Sequence, residues 1–502
     1  MREQLIPLLV IVPLFTAPLC LIVRQPVWVW RISVLACLVT VICSGLLWSS
    51  CQQLGPMSYA FGGWEPPWGI EYRIDALSSL LLIIVSFVSL ATACFSRNNV
   101  ESEIARHKIP QFYTALLLML TGFLGIVSTA DVFNLFVFYE ISALSSYALI
   151  ASGQHRAALL AAFRYFIMGS LGATFLLIGI GLLYLQTGTL NMLDLASRLA
   201  ALEESAATQM AFAFIIAGIA LKMALFPLHV WLPNAYRFAP TTITVFLAAV
   251  SSKVSFYVLI RFCFDIFPFE FSFESMSVSH LLVPLSLLAI LLGSIVAIYQ
   301  IEVKSIMVYA SVASIGYMVL GICLLSPLGL QASLIYAFNH ALTAATLFMA
   351  IGCLSQQLRA IKKTPQASSE NLKLSDLGGI GQRMPYTMAV FIISGLSLVG
   401  APLTVGFISK WYLIWAVVDA GWWFVLPIVI IATLLALAYV WKVVEAVYFH
   451  AANKNMAQVQ EVPLPQLLPL CFLAAACIYF GIHSAVITDT SAQAAKLLLG
   501  GG

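Results

Sequence analysis

Charge is what this chain of 502 residues has least of: 9% of it is charged and 62% is hydrophobic, with a mean hydropathy of +0.99. That leaves far too little polar surface to coat a soluble globule, so the composition predicts an integral membrane protein. The net charge is only +3 and no basic block is present, which excludes a nucleic-acid partner. There is no G-x-x-x-x-G-K-[ST] and no strand-flanked G-x-G-x-x-G, so neither ATP nor a nicotinamide has a cradle. The ten cysteines form no CxxC and have no histidine at ligand spacing. They read as small buried hydrophobes, which predicts no iron–sulfur or zinc site, no other metal and no cofactor. The first residues, MREQLIPLLVIVPLFTAPLCLIV, carry no small-x-small cleavage pattern and read as a retained first helix. With no redox centre of its own, the chain is expected to draw energy from an ion gradient or from partner subunits.

What is abundant is apolar runs of membrane-crossing length. A hydrocarbon core of about 30 Å needs about 20 residues at 1.5 Å each. Such runs lie at 5–23, 28–49, 75–95, 111–128, 131–151, 161–186, 210–231, 241–263, 281–300, 305–325, 329–356, 385–418, 423–449 and 466–484, which predicts an all-α membrane protein of about 14 helices. The run 385–418 is too long for one straight crossing and contains Gly400, Pro402 and Gly406, so it reads as a broken helix. Alternating the loops gives one side sixteen of the 24 basic residues and the other side five, with three lysines inside the membrane. The positive-inside rule then predicts a multi-pass protein of the cell's inner (plasma) membrane with both termini on the outer face. The polar loop 357–384, with TPQASSENLKLSD, becomes a flexible cytoplasmic connector between two helical halves. Gly169 and Ala173 have the small-xxx-small spacing of close helix packing.

The remaining signal is ionisable residues where they are costly. Lys222 sits inside AFAFIIAGIALKMALFPLHVWLP, and Glu140, Lys253, His340 and Lys410 lie in other apolar spans. Each such group costs roughly 2.5 to 3.5 kcal/mol at a helix centre on insertion scales, so it marks a site for a charge or a proton. Counting from the span ends puts Glu140, Lys222, Lys253 and His340 roughly 14 to 18 Å deep, in one layer near the midplane. A carboxylate, amines and an imidazole at one depth could form a lateral axis for protons. Moving a carboxylate toward or away from a buried lysine would load or unload it. Pairing that merely ties helices together is the alternative use of the same residues. Pro227 follows Lys222 and Pro402 precedes Lys410, and unwound turns beside buried lysines are typical of transporters with inverted repeats. The two breaks lie five spans apart and so begin on opposite sides of the membrane, as inverted five-helix repeats require.

Four stretches then carry a resemblance: DVFNLFVFYEISALSSYALI, LKMALFPLHVWLPNAYRFAPTTITVFLAAVSSKVSFYVLIRF, VKSIMVYASVASIGYM and LSLVGAPLTVGFISKWYLI. They resemble the antiporter-like subunits shared by respiratory complex I, membrane-bound hydrogenases and Mrp-type multisubunit cation/proton antiporters, over roughly residues 70–450. FNLFVFYE is most like the D-type subunit of the Mrp antiporters. The resemblance implies inverted repeats at helices 4–8 and 9–13, with helices 7 and 12 discontinuous. On that basis residues 1–110 hold helices 1–3, 111–263 the first repeat, 281–449 the second, and 450–502 the last helix and tail. It also implies roles: Glu140 and Lys222 as the coupling pair, Lys253 as central relay, His340 as relay on the eleventh helix, Lys410 as terminal proton site, and His229 as a family histidine near the helix-7 break.

Three positions depart from the family pattern. Ala344 stands where many members have a lysine four residues after the eleventh-helix histidine, Asn234 where complex I members usually have an acid, and the chain ends soon after residue 484, without room for a long lateral helix. The first departure predicts that water, with Thr343 and Thr346 as candidate partners, spans the gap between His340 and Lys410. The expected function is a proton-translocating subunit of a multisubunit monovalent cation/proton antiporter, working with other membrane subunits on protons and Na⁺ or K⁺. The alternative is a proton-pumping subunit of a complex I-type oxidoreductase or membrane-bound hydrogenase. The charge asymmetry makes a direct prediction. A cysteine replacing Ser369, in a background where the native cysteines are silent, should resist an impermeant thiol reagent in intact cells and react in inverted vesicles. Labelling from outside would reverse the orientation.

Overall fold

Apolar runs in lipid must satisfy their backbone internally, and here they do so as helices. A computed structural model describes residues 3–153, 155–202, 205–362, 372–451 and 458–500. Arg2, Lys363, Lys454 and the part of the polar connector that includes Ser369 lie outside the described residues. Thirteen helices among the described residues are long and apolar enough to cross a membrane. They include Val132–Ala151, Thr241–Ile266, Val303–Cys323, Pro327–Ala360 and Val425–Tyr448. The most apolar windows of Thr241–Ile266 and Pro327–Ala360 are wholly buried, whereas that of Val425–Tyr448 is only one-third buried. The two innermost helices are therefore the ones that carry Lys253 and His340.

Two of the expected crossings differ in detail. The run 210–231 is helical only as Ala206–Met223; Ala224 turns left-handed at φ 59°, and helix resumes at Trp231–Phe238. Pro227 lies between them and has no N–H to give to a continuing ladder. The run 385–418 forms two short helices, Pro385–Val399 and Val405–Asp419, separated at Gly400 with φ 89°.

Connecting segments segregate to two faces. On one, the antiparallel hairpin Met57–Ala60 with Glu71–Ile74 pairs on through Tyr72 and Thr129, while Asp131 pairs with Asn191. Asn191 donates from Nδ2 to Glu71 Oε2 at 2.9 Å. On the other face Glu103 accepts from Thr241 N and Oγ1, both at 2.7 Å, and from Arg359 at 2.8 Å. Arg237 pairs there with Glu302. The hairpin, the short helix Met192–Ala201 and the C-terminal helix Ala485–Leu498 are additions to the expected helix list, each too short or too polar to register as a crossing.

One further expectation needs correction. Cys471 is exposed and Cys94 half-buried, so not every cysteine is a core residue. Arg261 is buried and pairs with both Asp75 and Asp265. Burial would push the Asp75 carboxyl up, but the Arg261 guanidinium outweighs it and holds it down at about 2.

Glycine sets the closest helix contact. An added Cβ at Gly218 would come within 2.6 Å of the Gly172 carbonyl oxygen and 2.9 Å of Leu176 N. Gly169 instead makes room for Tyr147, whose hydroxyl would lie 2.0 Å from a Cβ there. Backbone cannot yield as a side-chain tip can, so Gly218→Leu should sharply lower the yield of assembled protein in detergent extracts. Gly181→Ala, with nothing within 4 Å, should leave that yield unchanged.

Candidate functional site

A helix that stops inside the protein leaves its last carbonyls without intrahelical donors and with partial negative charge. Lys222 lies in the last turn before Met223, where that end favours a cation. The freed carbonyls find local donors: Leu225 N bonds to Ala220 O at 3.0 Å and Trp231 Nε1 to Leu221 O at 3.1 Å. Lys222 Nζ is thus left for Glu140 on the neighbouring helix and donates to its Oε1 at 3.1 Å. The same ammonium stands 4.8 Å from the centre of the Tyr139 ring. The Lys222 side chain is 6% exposed and that of Glu140 30%, so the carboxylate holds the more open side of the pair. Beside them a cavity with room of about 20 Å³ for a water centre is lined by Tyr139, Tyr165, Lys222, Ser251 and Ser255. One water needs about 10–15 Å³ by that measure.

Lys253 is 0% exposed, and its Nζ donates to Ala248 O at 2.7 Å. That carbonyl lies in the π-helical turn Leu247–Ser251, which leads directly into the helix bearing Lys253. Ser251 of this turn and Ser255 of this helix line the cavity beside Lys222. His340 is 2% exposed, and its Nδ1 has no hydrogen-bond partner among the described residues.

Lys410 repeats the first arrangement at the second interruption. Its Nζ donates to Val399 O, the last carbonyl of Pro385–Val399, at 2.8 Å and to Thr433 Oγ1 at 3.3 Å. It stands 5.5 Å from the centre of the Tyr317 ring. Gly400 is required twice over: its φ is +89°, and a Cβ there would come within 2.9 Å of Lys410 Cδ.

The expected water-spanned gap between His340 and Lys410 contains side chains in direct contact. Asn339, beside His340, donates to Ser409 Oγ at 3.1 Å, and Ser409 adjoins Lys410. Thr343 and Ser397 each donate to Asn339 Oδ1 at 3.1 Å, and Thr343 also reaches Ser397 Oγ at 3.1 Å. Thr346 turns back to Leu342 O of its own helix. Asn339, Ser397 and Ser409 escape a reading of the sequence for buried charge because amides and hydroxyls titrate nowhere near neutral pH. The available signal is their position next to His340, Gly400 and Lys410. His229 is not drawn into the group: it sits half-buried in the turn Leu228–Val230, stacks 5.3 Å from Phe226, and leaves Nδ1 without a partner among the described residues.

Comparison with known proteins places this geometry in context. The family described as NADH:quinone oxidoreductase/Mrp antiporter, TM, matches residues 129–436. The chain is 37% identical to the N-type subunit of NADH-quinone oxidoreductase from Desulforudis audaxviator, over 98% of each chain. It is 30% identical to the putative antiporter subunit mnhD2 of Staphylococcus epidermidis, over 88% of this chain and 85% of the other. Among solved structures, a chain of the membrane-bound sulfane sulfur reductase, an archaeal respiratory membrane complex, superposes with a TM-score of 0.88 at 28% identity, covering 99% of this chain and 98% of that one.

The Gly400 contact generates a prediction with an internal control. Gly400→Ala should destabilise by more than about 1 kcal/mol and also displace Lys410, so both the thermal midpoint and proton transport should fall. Gly421→Ala has similar left-handed backbone at φ +72° but nothing within 4 Å, so it should lower the midpoint and spare transport. Equal transport in the two variants would contradict the role of the contact.

Proposed function

We propose, for a chain that belongs to the NADH:quinone oxidoreductase/Mrp antiporter family of membrane subunits, that it moves protons along Glu140, Lys222, Lys253, His340 and Lys410 within a larger membrane complex. The observation that carries this reading is the 3.1 Å pair between Lys222 and Glu140 at an interrupted helix end. While Glu140 is close, Lys222 keeps its proton; when the carboxylate withdraws, the desolvated ammonium releases it toward the Ser251–Ser255 cavity. Lys253 and His340 take the proton onward, and Lys410 holds it at the second helix end until release.

The same reading treats Ala206–Phe238 and 385–419 as helices 7 and 12, each broken, and residues 111–263 and 281–449 as inverted repeats. Its support is the matching order in both halves: three helices, an interrupted one with a lysine at the break, then a fifth. The charge asymmetry supports termini on the outer face.

The complex is a monovalent cation/proton antiporter of the Mrp type in which this chain fills the D-type position, supported by FNLFVFYE and by the mnhD2 relative. A second reading has its own observation: 37% identity over 98% of an N-type relative makes a proton-pumping subunit of a quinone-reducing complex an alternative setting for the same axis. Co-purification of the native complex separates them, small antiporter subunits supporting the first and iron–sulfur subunits the second.

Lys222→Ala should abolish proton movement in inverted vesicles, read with a pH dye, while assembly survives because the costly buried charge is gone. Glu140→Gln should fail likewise, and Glu140→Asp should keep part of the activity. Wild-type rates in Lys222→Ala would remove the proposal.

A further inference from the structure

Two tyrosines stand out among the buried polar groups. Tyr139 and Tyr317 are each 4% exposed, and the hydroxyl of each lacks a hydrogen-bond partner among the described residues. An unpaired buried hydroxyl is costly and uncommon, so its presence calls for a use. Both rings lie under the ammonium of a break lysine, Lys222 at 4.8 Å and Lys410 at 5.5 Å from the ring centres. Ser255 shares a cavity wall with Tyr139, and Thr433 Oγ1 accepts from the same Lys410 Nζ that stands over the Tyr317 ring.

The two sets occupy equivalent places in the chain order. Tyr139 belongs to Val132–Ala151 and Tyr317 to Val303–Cys323, the second helix of each five-helix half; Ser255 and Thr433 belong to the fifth helix of each half. Glu140 follows Tyr139, whereas Met318 follows Tyr317. The carboxylate is thus present in only one half, while the tyrosine, the lysine and the nearby hydroxyl are present in both. A feature kept where the acid is lost has a task separate from ion pairing.

We propose that Tyr139 and Tyr317 are proton-handling residues: the ring face holds the lysine ammonium at each helix break, and the hydroxyl passes the lysine's proton onward along the axis. In the step, Lys222 gives a proton to the Tyr139 oxygen as that hydroxyl gives its own proton to a water in the adjoining cavity beside Ser255, which carries it onward. The lysine N–H and the tyrosine's original O–H break, a new tyrosine O–H and an O–H on the accepting water form, and the tyrosine ends neutral. A return rotation of the hydroxyl resets it. Tyr317 acts in the same way at Lys410, beside the direct 3.3 Å contact of Lys410 Nζ with Thr433 Oγ1. The ring supplies the electrostatic hold by its negative face, so phenylalanine preserves that function and removes only the relay.

This inference rests on the proton-axis reading, and the test separates the two. In inverted vesicles holding the complete complex, proton flux is followed with a pH dye in H₂O and D₂O for Tyr139→Phe, Tyr317→Phe and Lys222→Ala. Both tyrosine variants should assemble normally, transport about tenfold more slowly, and show a larger solvent deuterium isotope effect as proton transfer becomes limiting. Wild-type flux in the tyrosine variants, or slow flux with an unchanged isotope effect, overturns the relay when Lys222→Ala is inactive. Wild-type flux in Lys222→Ala overturns the axis itself. If either tyrosine variant fails to assemble, Ser255→Ala and Thr433→Val serve in its place with the same expected outcomes, and Thr433→Ser should retain flux.

Discussion

A cation held at the end of a helix that stops inside the protein is the constraint on which the rest of the structure depends. The unpaired carbonyls of a helix end and a desolvated ammonium each need a partner in a medium that provides none, and each can serve the other. Lys410 shows this directly by donating to Val399 O. At the first interruption Trp231 and the local backbone take the carbonyls, which releases Lys222 to Glu140. The same local solution therefore yields two sites of different character. One pairs its lysine with a carboxylate, and the other holds it by backbone and a threonine hydroxyl.

The surrounding packing follows from protecting these charges. The most apolar windows of Thr241–Ile266 and Pro327–Ala360 are wholly buried, since Lys253 and His340 could not face lipid, while a helix without such groups, Leu5–Val23, presents apolar side chains outward. Close contact at Gly172 and Gly218 lets the interrupted helix lie against its neighbour, and Gly169 leaves space for Tyr147 beside the cavity. Ion clusters at the two faces, Arg261 with Asp75 and Asp265 on one and Arg237 with Glu302 on the other, tie the helix ends that the interruptions would otherwise loosen.

Much of this is legible from residue chemistry alone. Apolar run lengths mark the crossings, and the cost of burying Lys222, Lys253, Lys410, His340 and Glu140 singles them out before any geometry is known. What stays hidden are relations between spans. Nothing in the letters pairs Asn339 with Ser397 and Ser409, or sets Tyr139 under Lys222, because neutral polar residues and aromatics are common in membrane helices for packing reasons. Nor do the letters pair Arg261 with Asp75 far away in the chain. The short outer hairpin and the C-terminal helix Ala485–Leu498 lack the length that makes the crossings visible.

The central claim is that the Lys222–Glu140 pair opens and closes as protons pass. Its most direct test is high-resolution structure determination of the native complex at rest and under an imposed proton gradient, with the distance from Lys222 Nζ to Glu140 measured in each. The account predicts that at least one energised state shows the pair separated and Lys222 turned toward Ser251 and Ser255. The pair remaining in contact in every state, with proton movement verified in the same preparation, would contradict it.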